Sequence, residues 1–235
     1  MNINGVPLFL MFHQIVKSND QIKSDYDIEF DSFELIIKSI YKINNNLKKS
    51  NQLTIIPTFD DGNKSDLECA RLLNKYKING IFFIIIDRIN KNGYLTENDL
   101  LEIQKMGHYI GSHTMSHLVC PASKTEVVFN EFCESKKYLE KLLKSECEHF
   151  SFPGGLFTKR DFTLAKKANF KYIFSTFEKF PAYLKNNKVI SRIHIRQSTL
   201  TKLNSIFELK KSYYLSRYFR SCLKEFRDIC KFKTL

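Results

Sequence analysis

Short apolar runs alternate along this chain with stretches whose apolar positions recur every three or four residues. An unbroken apolar run bounded by polar residues predicts a strand buried on both faces, and the three-four spacing predicts a helix with one buried stripe. Strands are predicted over residues 8–12, 53–59, 81–86, 109–112, 148–152, 172–175 and 189–195. Helices are predicted over 33–47 with Asp31 or Ser32 as N-cap, 65–76, from the cap Thr96 to about Met106, 125–143 and 160–168. The polar run 44–51 reads as the loop that follows the first helix. This βα repetition predicts an α/β fold, and chemistry-bearing residues recur where the predicted strands end: His13, Asp60, Asp61, His113, His117 and Pro153. In a barrel of parallel strands that end carries the active site, so one domain with one mouth explains the pattern better than two domains.

Composition adds less. A chain of 235 residues with 43% hydrophobic content can bury a sizeable core, and 21 Phe with no Trp imply that Phe fills much of it. The net charge of +12 suits nucleic acid, acidic glycans or an anionic membrane face. No zinc finger, aromatic ribonucleoprotein box or basic zipper accompanies it, so no nucleic-acid partner is expected. The six cysteines form no Cys-x-x-Cys pair and are expected to be reduced, mostly buried thiols rather than three disulfides. The start lacks a basic segment, and the apolar run after it is broken by Pro7, so a cytoplasmic protein is expected, or one peripheral to the inner membrane.

The barrel domain is expected to occupy residues 1–205, with a basic amphipathic helical extension over 206–235 packed on or beside it. In that extension Ile206, Leu209, Tyr213, Phe219, Cys222, Phe226 and Ile229 follow helical spacing between Lys210, Arg217, Arg220, Lys224 and Arg227. An interfacial helix touching anionic lipid is the alternative reading.

Two segments carry the chemistry, Thr58-Phe59-Asp60-Asp61-Gly62 and His113-Thr114-Met115-Ser116-His117. Two imidazoles at i, i+4 share one face of a helical turn and can meet one ion. With one carboxylate they hold a divalent metal and leave a position open, and the second carboxylate remains beside it as a base. Adjacent carboxylates at a strand end point different ways, which permits this division of labour. His108 and His149 are expected to be structural, and Glu97 and Asp99 to be first-turn helix acids.

These segments resemble the first two motifs of the polysaccharide deacetylases, carbohydrate esterase family four, in order and spacing. Phe150-Ser151-Phe152-Pro153-Gly154-Gly155 is similar to the third motif, Ile190-Ser191-Arg192-Ile193-His194-Ile195 to the last, and Leu10-Met11-Phe12-His13 to the Met-Tyr-His opening of many members. The resemblance spans roughly residues 6 to 196. It implies a distorted (β/α) barrel, usually of seven parallel strands, and removal of acetyl groups from sugars. By motif position Asp61, His113 and His117 would ligate Zn²⁺ or a similar ion such as Co²⁺, Ni²⁺ or Mn²⁺. Asp60 would be the general base, the backbone N–H of Gly154, next to Pro153, would face the oxyanion, and His194 would be the acid. His13 would touch substrate or support the site.

The chain departs from the pattern at three points. Ser151 stands where the third motif usually carries the Arg that orients the base, and Arg192, on one strand face with His194, is the expected replacement. Gly154 stands where Tyr is common. With no Trp, the usual aromatic wall near the acid is missing or built from Phe. The expected function is a metal-dependent hydrolase removing N-acetyl groups from an amino sugar of a cell-surface polysaccharide or its lipid-linked or nucleotide-linked precursor. The rival readings are a deformylase or amide hydrolase on a lipid-linked sugar, and a silent glycan-binding barrel; retention of both Asp60 and Asp61 argues against the last.

Overall fold

A computed structural model describes residues 6–47, 53–176 and 189–202. In chain order the elements are β1 (Val6–Phe12), β2 (Ile15–Val16), β3 (Ile28–Glu29), α1 (Phe30–Leu47), β4 (Leu53–Phe59), α2 (Asp66–Lys75), β5 (Ile81–Ile84), α3 (Glu97–Lys105), β6 (Tyr109–Ser112), α4 (Thr125–Leu143), β7 (His149–Ser151), α5 (Lys159–Lys167), β8 (Tyr172–Ser175) and β9 (Ile190–His194). Seven strands form a closed all-parallel barrel in the order β1-β4-β5-β6-β7-β8-β9, with β9 returning to β1. The remaining two, β2 and β3, pair as a small arm after β1.

The apolar runs supply two cores because successive strand residues face opposite ways. Outward residues such as Leu8, Leu10, Phe12, Phe82 and Phe150 pack against the helices through Phe33, Ile36, Ile40, Leu73 and Phe132. Inward residues Phe9, Ile56, Ile81, Phe83 and Phe174 fill the barrel. Phe174 meets Phe9 edge-on at 5.1 Å and Phe83 at 5.2 Å. Each fully buried Phe contributes roughly 1.5–3 kcal/mol of transfer free energy. The filling leaves no room at Gly111 on β6, where a Cβ would lie 2.8 Å from the Phe83 ring and 2.9 Å from His149 Cβ.

Helix boundaries follow local chemistry. Thr96 and Thr158 each accept from the backbone three residues on, and Asp99 and Asp161 reach back to complete capping boxes. Asp31 and Ser32 lie inside α1, which begins earlier, at Phe30, directly after β3. The helix also runs to Leu47, through the first residues of the expected loop. Asn44 explains this: its side chain donates to the Ile55 carbonyl and accepts from the Ile55 N–H, so a polar residue is used to tie the helix end to β4. The apolar run after Ile81 stops being strand at Ile84, and its last residue enters a 3-10 turn over Ile86–Arg88.

Cys69, Cys120, Cys133 and Cys147 are free thiols, and burial pushes Cys147 up to about 12. Cys222, Cys230 and the expected helical extension 206–235 lie outside the described residues. Among the described residues no helix is long and apolar enough to cross a membrane.

Candidate metal centre and catalytic carboxylate

The same period of two that fills the barrel stacks the polar groups at its mouth. Register pairs Phe9 with Ile56 and Arg192, and Met11 with Thr58 and His194. Two residues further along these inward tracks come His13 on the β1 side and Asp60 on the β4 side. On β6 the track through Gly111 leads to His113, whose N–H is held by the Ile84 carbonyl at 2.9 Å.

Asp61, His113 and His117 bring one ligating atom each to within 4.8 Å of one another. The Asp61 carboxylate stands 3.7 Å from His113 Nε2 and 3.5 Å from His117 Nε2. Donors held ~2.0–2.2 Å from a tetrahedral ion lie ~3.3–3.6 Å apart, so this spacing suits a shared cation. Two further observations fit. His113 Nδ1 lies 2.8 Å from the Ser151 carbonyl, which can only accept, so the ring proton is on Nδ1 and the Nε2 lone pair faces the carboxylate. Asp61 Oδ1 is buried and has no hydrogen-bond donor among the described residues. An acceptor-only oxygen between two imidazole nitrogens is the arrangement a divalent cation satisfies. Burial, then the neighbouring His113, lowers the pKa of His117, which favours the neutral ligating ring.

The backbone achieves this without the helical turn that the i, i+4 spacing suggests. Residues 113–117 form an irregular loop in which Thr114 (φ 68°) and His117 (φ 67°) take left-handed conformations, and Asp61 does the same at φ 80°. Strained backbone at both halves of one site marks a geometry imposed by its surroundings.

Asp60 is buried and clamped. Arg192 Nη1 and Nη2 donate to its two oxygens at 2.6 and 2.7 Å, a bidentate pair. Arg192 Nη2 also donates to Ser151 Oγ at 2.7 Å, and Nη1 to Thr58 Oγ1 at 3.2 Å. The guanidinium lies over Phe83 at 5.1 Å, so the inner core forms its floor. Arg192 therefore reaches Asp60 from β9 across the barrel, and Ser151 leaves the space for it. Burial acts to raise the Asp60 pKa, but the Arg192 charge overrides it and holds the carboxyl at about 2. His113 Nε2 is 3.9 Å from the same carboxylate.

His194 and His13 form a second cluster. His194 Nε2 and His13 Nδ1 are 3.1 Å apart, and the two rings stack at 4.7 Å. Arg196 Nη2 lies 3.4 Å from His194 Nδ1. Burial lowers the pKa of His13. Pro153 and Gly154 form the turn after β7, the strand whose Ser151 carbonyl holds His113. Gly154 has φ 62°, a conformation that disfavours a side chain.

Three features escaped the sequence reading. Tyr26 stacks on His194 at 4.7 Å with Arg196 over its ring at 5.1 Å, so the aromatic wall comes from the segment between β2 and β3 rather than from Phe. Asp25 secures that segment by accepting from the Ser198 N–H and hydroxyl. Asp66, at the start of α2, is fully buried, and burial followed by repulsion from Asp61 and Asp60 raises its pKa well above the carboxylate range. A third negative charge is thus kept off the site. No local signal announces Tyr26 and Asp25, because their partners His194 and Ser198 lie far away in sequence, and Asp66 reads as an ordinary first-turn helix acid until its burial is seen. His108 proves structural: its Nδ1 accepts from the Gly80 N–H and its Nε2 meets the Ala70 carbonyl.

The family model described as polysaccharide deacetylase matches residues 48–173, more than half of the chain. A peptidoglycan-N-acetylglucosamine deacetylase of Bacillus cereus is 34% identical over 134 residues, covering 56% of this chain and 61% of the relative. A poly-beta-1,6-N-acetyl-D-glucosamine N-deacetylase of Staphylococcus aureus is 28% identical over 162 residues, covering 62% of this chain and 55% of the relative. The chain thus spans between half and two thirds of the length of these relatives. Among solved structures, the deacetylase PplD of Streptococcus pyogenes superposes with a TM-score of 0.72 at 20% identity, covering 84% of this chain and 96% of that one. IcaB of Ammonifex degensii superposes at 0.73 with 17% identity, covering 86% and 97%. At these identities the superpositions speak for the barrel alone; the family match rests on the stretch from β4 to β8, which holds Asp60, Asp61, His113 and His117, and by that match this chain belongs to the polysaccharide deacetylase family.

Proposed function

We propose that this chain is a metal-dependent hydrolase that removes N-acetyl groups from an amino-sugar polymer of the cell surface. The observation that carries the reading is the convergence of Asp61, His113 and His117 within 4.8 Å beside the Arg192-clamped Asp60. Two imidazoles, one carboxylate and an open position form the donor set of a catalytic Zn²⁺ site. When bound, such a cation lowers the pKa of a coordinated water and polarises the acyl carbonyl. Asp60, ionised throughout the neutral range, would be the base that takes a proton from the attacking water; each of its oxygens keeps a lone pair beyond the one Arg192 uses. The backbone amide of Gly154 serves as a donor to the oxyanion.

The hydrogen-bond directions in the histidine pair support His13 as the acid. A guanidinium only donates, so His194 Nδ1 accepts from Arg196 and the neutral ring carries its proton on Nε2. That proton is directed at His13 Nδ1, which leaves the His13 proton on Nε2. As an acid the pair must first take up one further proton; His13 Nε2 then gives a proton to the leaving amine and the pair returns to its neutral state, with His194, the residue expected from the motif, orienting His13. The names of the relatives support an N-acetylglucosamine polymer as substrate.

The test is acetate release from β-1,6-linked N-acetylglucosamine oligomers and from peptidoglycan by zinc-loaded protein. Release is expected from at least one, and Asp60→Asn should abolish it while zinc stays bound. Stoichiometric zinc with no release from either polymer would refute the reading.

A further inference from the structure

The loop between the two histidines of the metal set is held by a residue that no motif includes. Glu131, on α4, places one carboxylate oxygen 2.8 Å from the Met115 N–H and 3.0 Å from the Ser116 N–H. Its other oxygen accepts from the Ser116 hydroxyl at 2.8 Å. One carboxylate thus takes two consecutive backbone donors and the side chain between His113 and His117. The rest of the loop is equally committed. The Thr114 and Met115 carbonyls accept from the Ile86 and Asp87 N–H groups at 3.3 and 2.9 Å. The Thr114 N–H donates to Ser112 Oγ, and Thr114 Oγ1 accepts from the Leu118 N–H, each at 3.1 Å.

A loop with left-handed residues at Thr114 and His117 stays in that conformation only if its surroundings over-determine it. Charge-assisted bonds from backbone N–H to carboxylate are about twice as strong as neutral ones. Of the loop's tethers, those to Glu131 are the only ones made by a carboxylate among the described hydrogen bonds.

We propose that Glu131 is the positioning residue of the metal centre, presetting the 113–117 loop so that His117 meets Asp61 and His113 without reorganisation. The inference rests on the metal-centre reading above and names the group that maintains it. It is not one of the three ligating residues but holds the loop that carries two of them, so its removal should appear in metal affinity before it appears in fold stability.

The experiment is a chelator competition for Zn²⁺ on the full chain, with thermal unfolding of the metal-free protein alongside. Glu131→Ala should weaken zinc binding by about 10- to 100-fold, the range for residues that orient ligands. Glu131→Gln, whose amide oxygen still accepts from the backbone, should lose less. Glu140→Gln is the control: on the same helix Glu140 accepts from the Cys147 N–H at 3.0 Å, so this change loosens α4 elsewhere and should leave zinc affinity unchanged. Zinc affinity of Glu131→Ala within about twofold of wild type would overturn the proposal, as would an equal loss in Glu140→Gln. Should Glu131→Ala fail to fold, Glu131→Gln and Ser116→Ala carry the same comparison. The wild-type titration is read separately: absence of zinc binding there overturns the metal centre itself, and this inference with it.

Discussion

Replacing Arg192 by Met removes the clamp on Asp60 while keeping a long apolar side chain over Phe83. Both partners are about 1% exposed, and the pair is bidentate at 2.6 and 2.7 Å. A carboxyl held at about 2 against its ordinary 3.8 reflects ~2 kcal/mol of preference for the charged form. Removing one partner of a buried pair leaves an uncompensated charge and costs about 3–5 kcal/mol. The sign with pH follows from the direction of the shift. The lowered pKa contributes stability that is fully present above the ordinary value of 3.8 and is lost as pH falls through about 2. In Arg192→Met burial is opposed only by the smaller effects of His113 and His13 and raises the Asp60 pKa, so the deficit against wild type should grow from about pH 4 towards neutrality. Urea unfolding of metal-free protein between pH 4 and 8 measures it. The double variant Asp60→Asn/Arg192→Met should recover much of the loss, giving a coupling energy of ~2 kcal/mol or more. A single variant within ~1 kcal/mol of wild type at neutral pH, or a coupling below ~0.5 kcal/mol, would refute the claim that Arg192 holds Asp60.

Other outcomes are equally definite. Gly111→Ala should cost ~1–3 kcal/mol in urea unfolding, because its Cβ would press on Phe83 and His149. His13→Gln should lower kcat for acetate release by about 10²–10⁴-fold with zinc affinity unchanged, and a parallel loss of zinc would contradict the acid role. Thr96→Ala breaks a capping box on α3 and should cost ~0.5–2 kcal/mol of stability in urea unfolding.

Much of the barrel was legible because it rests on periodicity. The run Leu8 to Phe12 and the apolar stretch from Ile81 carry strand signals that need no partner to be read, and α4 was bounded by its own apolar spacing. The same period of two placed Asp60 and His194 at one mouth. What the sequence did not disclose depends on contacts between distant segments. The histidine loop was expected to be helical from its spacing, yet Thr114 and His117 turn left-handed under tethers from Ile86, Asp87 and Glu131. Asn44 looks like loop and is helix because Ile55, on the next strand, satisfies its amide. Tyr26 looks like an ordinary loop tyrosine until β9 delivers His194 against it. The replacement of the motif arginine by Arg192 was inferable from the shared strand face with His194, whereas the pairing of His194 with His13 and Arg196 required the hydrogen bonds themselves.

Zinc K-edge absorption on protein loaded with one equivalent of Zn²⁺ tests the shared ion most directly. Two imidazole nitrogens and carboxylate oxygen at ~2.0–2.2 Å are expected, with one histidine lost from the first coordination sphere in His117→Ala. A sulfur shell at ~2.3 Å, or a spectrum unchanged by both Asp61→Ala and His117→Ala, would place the metal elsewhere and contradict the account.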